Sequence, residues 1–242
     1  GGCESSMRSI AAYASFVASG MHVTREPHAA CAPFARGRRG FVLAEGAGML
    51  VLERLDRARA RGAHVYALVA GAAVVNDAHH VINPEPTGQA WARAMRLALA
   101  DAGLDAAAVD AISAHGTATP QGDVAEARAI AAVLGPRAAA VPVSATKSMH
   151  GHAFGAAGAI ETALAVAAMD AGVVLPTINL AEPDPACPLD HVVERARPHA
   201  ARVLIKNGFG AGGVATSLVL TRRADAPRVA ADPTPPRDEF AF

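Results

Sequence analysis

Two histidine-containing stretches of this chain have the residue types needed to stabilise negative charge on a carbonyl oxygen. His115 lies in AHGTATPQGD (residues 114–123), and His152 lies in SATKSMHGHAFG (residues 144–155). Two imidazoles from distant parts of a chain can donate hydrogen bonds to one substrate oxygen while charge develops on it. The pattern therefore predicts chemistry at a carbonyl group, with His152 favoured over the neighbouring His150.

Small polar residues around the two histidines are typical of the mouth of a binding site. Thr117 and Thr119 follow His115 and can offer hydroxyl groups to a polar ligand. Glycines after His152 open a predicted helix, whose positive N-terminal end would lower the pKa of the imidazole and keep it a neutral donor. The structural alternatives are a capped turn around His115 and close helix packing around His152.

Lys147 is the basic residue of the second stretch, and its neighbours in sequence are mostly apolar. A lysine buried among apolar groups needs a charged partner. Glu161 is the nearest acidic residue downstream, and Asp123 and Glu126 are alternatives. Lys147 therefore either orders the site or forms an ordinary structural ion pair.

Two further loops carry weaker signals. The glycine-rich turn from Asn207 to Gly213 could expose backbone N–H groups to an anion, or could be only a tight hairpin. Asp77, His79 and His80 form a polar cluster, for which a structured loop is favoured over a metal site because further ligands are lacking.

Composition excludes several classes of protein. The 242 residues carry a formal net charge of zero, so there is no electrostatic basis for binding nucleic acid or an anionic membrane. Cys3, Cys31 and Cys187 form no CxxC pair, which argues against a disulfide framework or a zinc site. The alanine-rich segment 153–169 is expected to be a buried helix rather than a membrane span. We expect a cytoplasmic protein, although a chain without an initiating Met says little about a signal peptide.

Strand-like and helix-like segments alternate, and they place the candidate residues at the ends of strands. Residues 109–114 form a short apolar run that ends before His115, and residues 140–144 form another before Lys147. The alternation predicts an α/β layered fold with buried strands. Residues 223–242 have four prolines and no periodicity, which predicts an extended or disordered tail. Further strands are predicted at 47–53, 64–75, 201–206 and 214–221, and helices at 54–62, 88–102, 122–134 and 155–171.

Taken together, the motifs resemble the C-terminal half of a β-ketoacyl-[acyl carrier protein] synthase of the 3-oxoacyl synthase II type, or of a related polyketide ketosynthase. The resemblance covers residues 1–222 and implies a thiolase-like layered fold (α/β/α), mostly the C-terminal half of a duplicated architecture. The matching segments, in the order of the family, are Pro33-Phe34 through Gly48, His115 to Asp123, Lys147 to His152, Pro176 to Leu180, and Asn207 to Gly210.

This resemblance implies a decarboxylative Claisen condensation of an acyl thioester with malonyl-[acyl carrier protein], in fatty-acid or polyketide synthesis. His115 and His152 would stabilise the enolate that forms on decarboxylation, and Lys147 with Glu161 would order the site.

The resemblance also implies how the substrates are held. Thr117 and Thr119 would hold the phosphopantetheine arm, which arrives on the acyl carrier protein, so neither a metal nor a soluble cofactor is expected. Phe209 and Ala211 would line the substrate site, with the backbone N–H of residue 211 in the oxyanion hole.

Two departures from the family pattern stand out. None of the three cysteines matches the nucleophile, so the chain is expected to be inactive alone and to need a missing N-terminal half or a partner chain, in a homodimer or a ketosynthase heterodimer. Such a chain would expose a large apolar interface. Ala211 also replaces a gating phenylalanine, which predicts a more open acyl pocket.

Two other functions are weighed against condensation. A non-catalytic partner subunit resembling a chain-length factor is one, although such partners usually lack the catalytic histidines. A degradative thiolase is the other, but thiolases carry a second cysteine in the C-terminal glycine-rich turn, and residues 207–213 contain none.

Overall fold

The computed structural model describes residues 1–5, 9–18, 31–222 and 240–241. Its elements, in chain order, are β1 (Gly2–Glu4), α1 (Ile10–Ala18), β2 (Gly46–Gly48), β3 (Glu53–Arg54), α2 (Leu55–Ala60), β4 (Leu68–Asn76), α3 (Gln89–Asp101), β5 (Ala111–Ser113), α4 (Pro120–Leu134), β6 (Pro142–Ser144), α5 (Lys147–His150), α6 (Phe154–Ala171), β7 (Val173–Val174), β8 (Asp190–His191), β9 (Arg197–Pro198), β10 (Val203–Gly210), β11 (Val214–Thr221) and β12 (Phe240–Ala241).

An eight-stranded mixed sheet forms the middle layer, with the strand order β3-β12-β4-β11-β10-β5-β6-β8. β10 pairs antiparallel with β11 and parallel with β5, and β5 pairs parallel with β6. The carboxyl ends of parallel strands meet at one edge of a sheet, where ligands commonly bind in α/β folds. The chain leaves β5 and β6 at this edge and runs into the two predicted histidine stretches.

Apolar side chains on the two faces of the sheet form separate cores. Along β10, Ile205 packs into the core that contains α3 and α4, whereas Leu204 packs into the core that contains α6. Successive side chains of a strand point to opposite faces, so this alternation requires a helical layer on each side. The predicted α/β/α layering is confirmed.

α6 is the one helix in the described ranges that is long and apolar enough, by length and composition, to cross a membrane. It nevertheless buries Glu161 and packs against β1, β2 and β10. These are the contacts of a core helix, so the buried helix predicted for residues 153–169 is confirmed.

The strand predicted at 47–53 is wrong. Only β2 and β3 form there, and three of the four apolar residues between them are exposed, with Met49 at 82% and Val51 at 80%. An extended segment becomes a strand only when another strand completes its hydrogen bonds, and within the described residues none pairs with 49–52.

Boundaries also differ at other predicted elements; the strand predicted at 64–75, for example, begins only at Leu68. The predicted 201–206 strand extends to Gly210, so the turn shortens to residues 211–213. α4 begins two residues earlier than predicted, at Pro120, because Thr119 caps it. Most of the predicted tail lies outside the described residues, but Phe240–Ala241 forms β12, between β3 and β4.

Candidate active site

His115 is fixed by its backbone as well as by its side chain. The backbone N–H groups of His115 and Gly116 each donate to one oxygen of Glu126, at 2.8 Å in both cases. Gly116 adopts a φ of +42°, and a β-carbon there would lie 2.5 Å from that of Ala145, so only glycine fits the turn. Glu126, on α4, therefore anchors this loop rather than pairing with Lys147.

Lys147 begins α5 and lies fully buried behind His115. Its Nζ donates to the His115 carbonyl oxygen at 2.6 Å and to His115 Nδ1 at 3.1 Å. A short hydrogen bond to Glu161 completes its three contacts. The predicted Lys147–Glu161 pair is present, whereas Asp123 pairs with Arg38 instead.

His152 enters the site from a loop held by backbone pairing. Its N–H donates to the Val42 carbonyl at 2.7 Å, and its carbonyl accepts from the Ala44 N–H at 3.0 Å. The Phe154 N–H, at the start of α6, donates to His152 Nδ1 at 3.2 Å. Phe154 adopts a φ of +35°, a conformation that costs a non-glycine residue about 1 kcal/mol or more.

Aromatic rings surround the two imidazoles, whose centroids lie 5.4 Å apart. Phe154 stacks on His152 at 4.5 Å, and Phe209 meets His115 edge-on at 5.4 Å. Trp91 in turn stacks on Phe209 at 3.7 Å. These contacts restrict the orientation of both histidine rings.

Burial keeps both imidazoles neutral. It is the largest cause that lowers the pKa of His152 to about 3, followed by the charge of Lys147. The pKa of His115 falls well below its usual value for the same two reasons. Each Nδ1 accepts a hydrogen bond, so the proton of each neutral ring is on Nε2. The sequence predicted a neutral His152 from the positive end of a helix, but the main cause of its lowered pKa is burial.

Glu161 is ionised despite its burial. Burial alone would raise the pKa of this carboxyl, but the charges of Lys147 and Lys206 outweigh it and lower the pKa to about 2. Lys206 Nζ lies 2.6 Å from Glu161 Oε2, opposite the oxygen that Lys147 contacts. One carboxylate is thus shared by two buried ammonium groups.

Thr117 and Thr119 line the cavity and share a hydrogen bond, with 3.1 Å between their Oγ1 atoms. Thr119 Oγ1 also caps α4 by accepting from the Gly122 N–H at 3.1 Å. Whichever hydroxyl donates to the other, one hydroxyl hydrogen of the pair is left for a ligand.

A cavity of about 690 Å³ brings the predicted site residues together. Within the described parts of the chain, no group accepts a hydrogen bond from the Ala211 N–H, and Ala211 is among the residues that line the cavity. Lys147 lies behind the lining rather than in it. The predicted residues that line the cavity are His115, Thr117, Thr119, His152, Glu161, Phe209 and Ala211.

Neither of the two buried cysteines is suited to be a nucleophile. Burial raises the pKa of Cys31 to about 11 and that of Cys187 to about 12, which keeps both as thiols. Among the described residues there is also no cluster of metal-ligating side chains. Asp77 accepts from the His79 and Glu85 N–H groups, as expected of a structured loop.

Sequence reasoning missed Lys206 and Asn207 as parts of the site. These adjacent residues of β10 project to opposite faces of the sheet, where Lys206 meets Glu161 and Asn207 Nδ2 donates to Glu126 at 3.2 Å. A lysine in a buried strand was an available signal, since an unpaired ammonium is rarely buried.

Two protein-family models match the chain. The model described as "Beta-ketoacyl synthase, C-terminal domain" matches residues 66–181. The model described as "Beta-ketoacyl synthase, N-terminal domain" matches residues 1–58. The two matches lie in the order expected within one such enzyme, and they confirm the resemblance carried by the motifs.

Curated relatives of this chain are also named as β-ketoacyl synthases. A 3-oxoacyl-[acyl-carrier-protein] synthase 2 of Coxiella burnetii is 44% identical over 200 residues, which are 83% of this chain and 48% of that protein. Granaticin polyketide putative beta-ketoacyl synthase 1 of Streptomyces violaceoruber is 46% identical over 201 residues, with the same two coverages, 83% and 48%. The chain spans about half the length of the curated relatives it matches.

Solved structures share the fold. A type II PKS ketosynthase, in complex with its acyl-carrier protein and bound to the hexaketide, superposes with a TM-score of 0.87 at 38% identity, covering 90% of this chain and 54% of that one. The ishigamide ketosynthase/chain length factor gives 0.81 at 40% identity, covering 88% and 51%. A beta-ketoacyl synthase from Burkholderia phymatum gives 0.84 at 43% identity, covering 91% and 53%. The predicted thiolase-like layered fold is confirmed.

Proposed function

This chain belongs to the β-ketoacyl synthase family, and we propose that it supplies the residues for the decarboxylation step of a condensing site. The reaction is a decarboxylative Claisen condensation of an acyl thioester with malonyl-[acyl carrier protein]. The observation that carries the proposal is the pair of neutral imidazoles, each with its proton on Nε2, at one cavity.

Decarboxylation develops negative charge on a thioester oxygen, to which these imidazole donors can hydrogen-bond. The bond between the malonyl carboxylate and its neighbouring carbon breaks, carbon dioxide leaves, and the electron pair moves onto the thioester as an enolate. His115 and His152 donate from Nε2 to the enolate oxygen, where neutral donors fixed in advance stabilise the charge without reorganising. Burial keeps both imidazoles neutral, so neither protonates the carbanion before it reacts.

Carbon–carbon bond formation follows at a second thioester. The enolate carbon attacks the carbonyl of an acyl group held on a cysteine, a tetrahedral oxyanion forms, and the cysteine thiolate leaves. The Ala211 N–H is free to donate to that oxyanion from the cavity wall. We propose that the cysteine is contributed from outside this chain, because Cys31 and Cys187 are buried thiols and Cys3 falls in a segment that does not match the nucleophile.

The pantetheine arm of the carrier protein is proposed to enter past Thr117 and Thr119. The one hydroxyl hydrogen that this pair leaves unused suits an amide carbonyl of the arm. An acyl carrier protein is therefore the proposed partner, together with a second ketosynthase subunit. A related ketosynthase was solved with its acyl-carrier protein, and another as a ketosynthase/chain length factor.

The test is malonyl-carrier protein decarboxylation by the assembly that supplies the cysteine. His115→Ala and His152→Ala should each lower the rate on the order of 10²–10³-fold, the usual cost of one such donor. His64→Ala is the matched control, because His64 is exposed, contacts Asp170 and Tyr66, and does not line the cavity. Full activity in either site variant would overturn the proposal. An inactive wild-type assembly that still supports a partner ketosynthase would favour a chain-length-factor role.

A further inference from the structure

Both lysines of the chain form ion pairs with the carboxylate of Glu161. The sequence has two lysines and twenty arginines, and every basic position outside this site is arginine or histidine. Lys147 reaches Glu161 Oε1 from α5, and Lys206 reaches Glu161 Oε2 from β10, at 2.6 Å. The proposed reaction uses Lys147 and Glu161 but leaves Lys206 without a role.

The surroundings of Lys206 suit a compact cation. Its side chain is 3% exposed, it lines the cavity, and its Nζ also makes a short hydrogen bond to the Asn207 carbonyl. An ammonium is a small point charge that can meet a carboxylate and a carbonyl in a narrow space, whereas the planar guanidinium of arginine is larger. A buried cation is costly unless such partners compensate it.

The charges of Lys147, Lys206 and Glu161 do not cancel one another. Two ammonium groups face one carboxylate, which leaves one positive charge beside the two imidazoles. The Glu126 carboxylate contacts neither ammonium group directly; it accepts from three N–H donors, the backbone of His115 and Gly116 and the side chain of Asn207. Development of an enolate in the cavity would neutralise the remaining positive charge.

We propose that Lys206 is a positioning residue of the condensing site. It holds the second oxygen of Glu161, so that the first oxygen keeps Lys147 against His115, and it adds a fixed positive charge at the end of the cavity where the enolate forms. This inference rests on the proposed function for its substrate. The contacts among the side chains of Lys206, Glu161, Lys147 and His115 do not depend on that function.

The charge of Lys206 should also affect the histidines. The groups that face the imidazoles are Lys147 from α5, Glu161 from α6, Lys206 from β10 and the neighbouring His150. The positive charge of Lys206 disfavours protonation of both rings, so its removal should raise the pKa of His115 and of His152.

The main experiment compares Lys206→Met, which keeps the length without the charge, with Lys206→Arg. In the assembly that supplies the cysteine, Lys206→Met should lower kcat for malonyl-carrier protein decarboxylation by about tenfold to a hundredfold, because a misplacement of about 1 Å in a site can cost on the order of 10²-fold. KM should stay within about twofold, and the acid limb of the pH–rate profile should move to higher pH. Lys206→Arg should return that limb toward its wild-type position. Arg59→Met, on the exposed face of α2, is the control for loss of a positive charge.

Two further readouts separate positioning from folding. Lys206→Ala should regain activity when methylamine is added, with no such effect on Arg59→Met. Nitrogen NMR of labelled histidines should show higher imidazole pKa values in Lys206→Met, and this readout needs no activity. An unchanged kcat, or a lower kcat with an unmoved acid limb and no rescue, would overturn the inference. A wild-type assembly that cannot decarboxylate would refute the proposed function, while unchanged histidine pKa values would refute the role of Lys206.

Discussion

Replacing Glu161 by glutamine removes the one carboxylate that both lysines of the chain share. The amide keeps the size of the side chain, so the change is mainly one of charge. Lys147 and Lys206 would then be buried side by side, with only carbonyl and imidazole acceptors. We expect a large loss of stability, because an ammonium without a counter-charge is not tolerated in a dry interior.

The magnitude follows from the geometry. At an effective dielectric constant of about 20, opposite unit charges 2.6 Å apart, the Lys206–Glu161 distance, attract by about 6 kcal/mol. Desolvation of the groups offsets part of this, and removing one partner of a buried pair typically costs about 3–5 kcal/mol. For a domain stable by about 5–15 kcal/mol, this loss is a large fraction of the total, so unfolding should occur at much lower urea.

Urea unfolding can be followed through Trp91, the only tryptophan of the chain, which is buried against Phe209. Glu161→Gln should lower the midpoint by about 1–2 M, for a slope near the upper end of the usual range. Glu53→Gln is the matched control, because its partner Arg61 is exposed and such surface pairs contribute about 1 kcal/mol or less.

A double variant tests the cause. Adding Lys206→Met to Glu161→Gln removes one of the two ammonium groups that have lost their counter-charge. The double variant should therefore lose less stability than the sum of the losses in the two single variants, by about 1 kcal/mol or more. The pKa of Glu161 is lowered to about 2, so its stabilising effect should persist at neutral pH and disappear as pH falls from about 4.5 toward 2. A loss below about 1 kcal/mol for Glu161→Gln, or additive variants, would refute this account of the charges.

Three other outcomes are expected. Malonyl-carrier protein decarboxylation should show no loss attributable to histidine between pH 8 and about pH 5.5, because burial lowers the pKa of both His115 and His152; a midpoint near 6.5 would contradict this. Gly213→Ala should lower the melting temperature more than Gly212→Ala. Both glycines have a positive φ, but a β-carbon at 213 would lie 2.1 Å from a carboxylate oxygen, whereas one at 212 would meet nothing within 4 Å. Equal losses of stability in the two variants would contradict this prediction. Ala211→Phe should narrow the acyl pocket and shorten the range of acyl primers accepted in condensation assays, and an unchanged chain-length profile would argue against an open pocket.

Much of the fold was predictable because local patterns and tertiary contacts agree. Alternating strands and helices gave the layers, and the alanine-rich segment gave α6 as a core helix. The clearest exception is the segment 47–53, whose apolar alternation is strand-like but whose middle residues have no strand beside them among those described. A sequence pattern cannot supply the partner strand that makes an extended segment into a sheet.

The sequence by itself predicted most members of the site. Residue type and spacing pointed to His115, His152 and Lys147, because this chemistry needs imidazole donors, and left Glu161, Asp123 and Glu126 as alternative partners for the lysine. The resemblance to β-ketoacyl synthases then assigned their roles.

Only the tertiary structure decided which groups touch. It showed that the proton of each imidazole is on Nε2, that Glu126 holds the backbone of the His115 loop, and that Lys206 shares Glu161 with Lys147. β10 joins the sheet next to β5, and this places Lys206 opposite a residue 45 positions earlier in the chain. Burial and hydrogen-bond partners depend on such long-range placement, and they set the charge states of His115, His152 and Glu161.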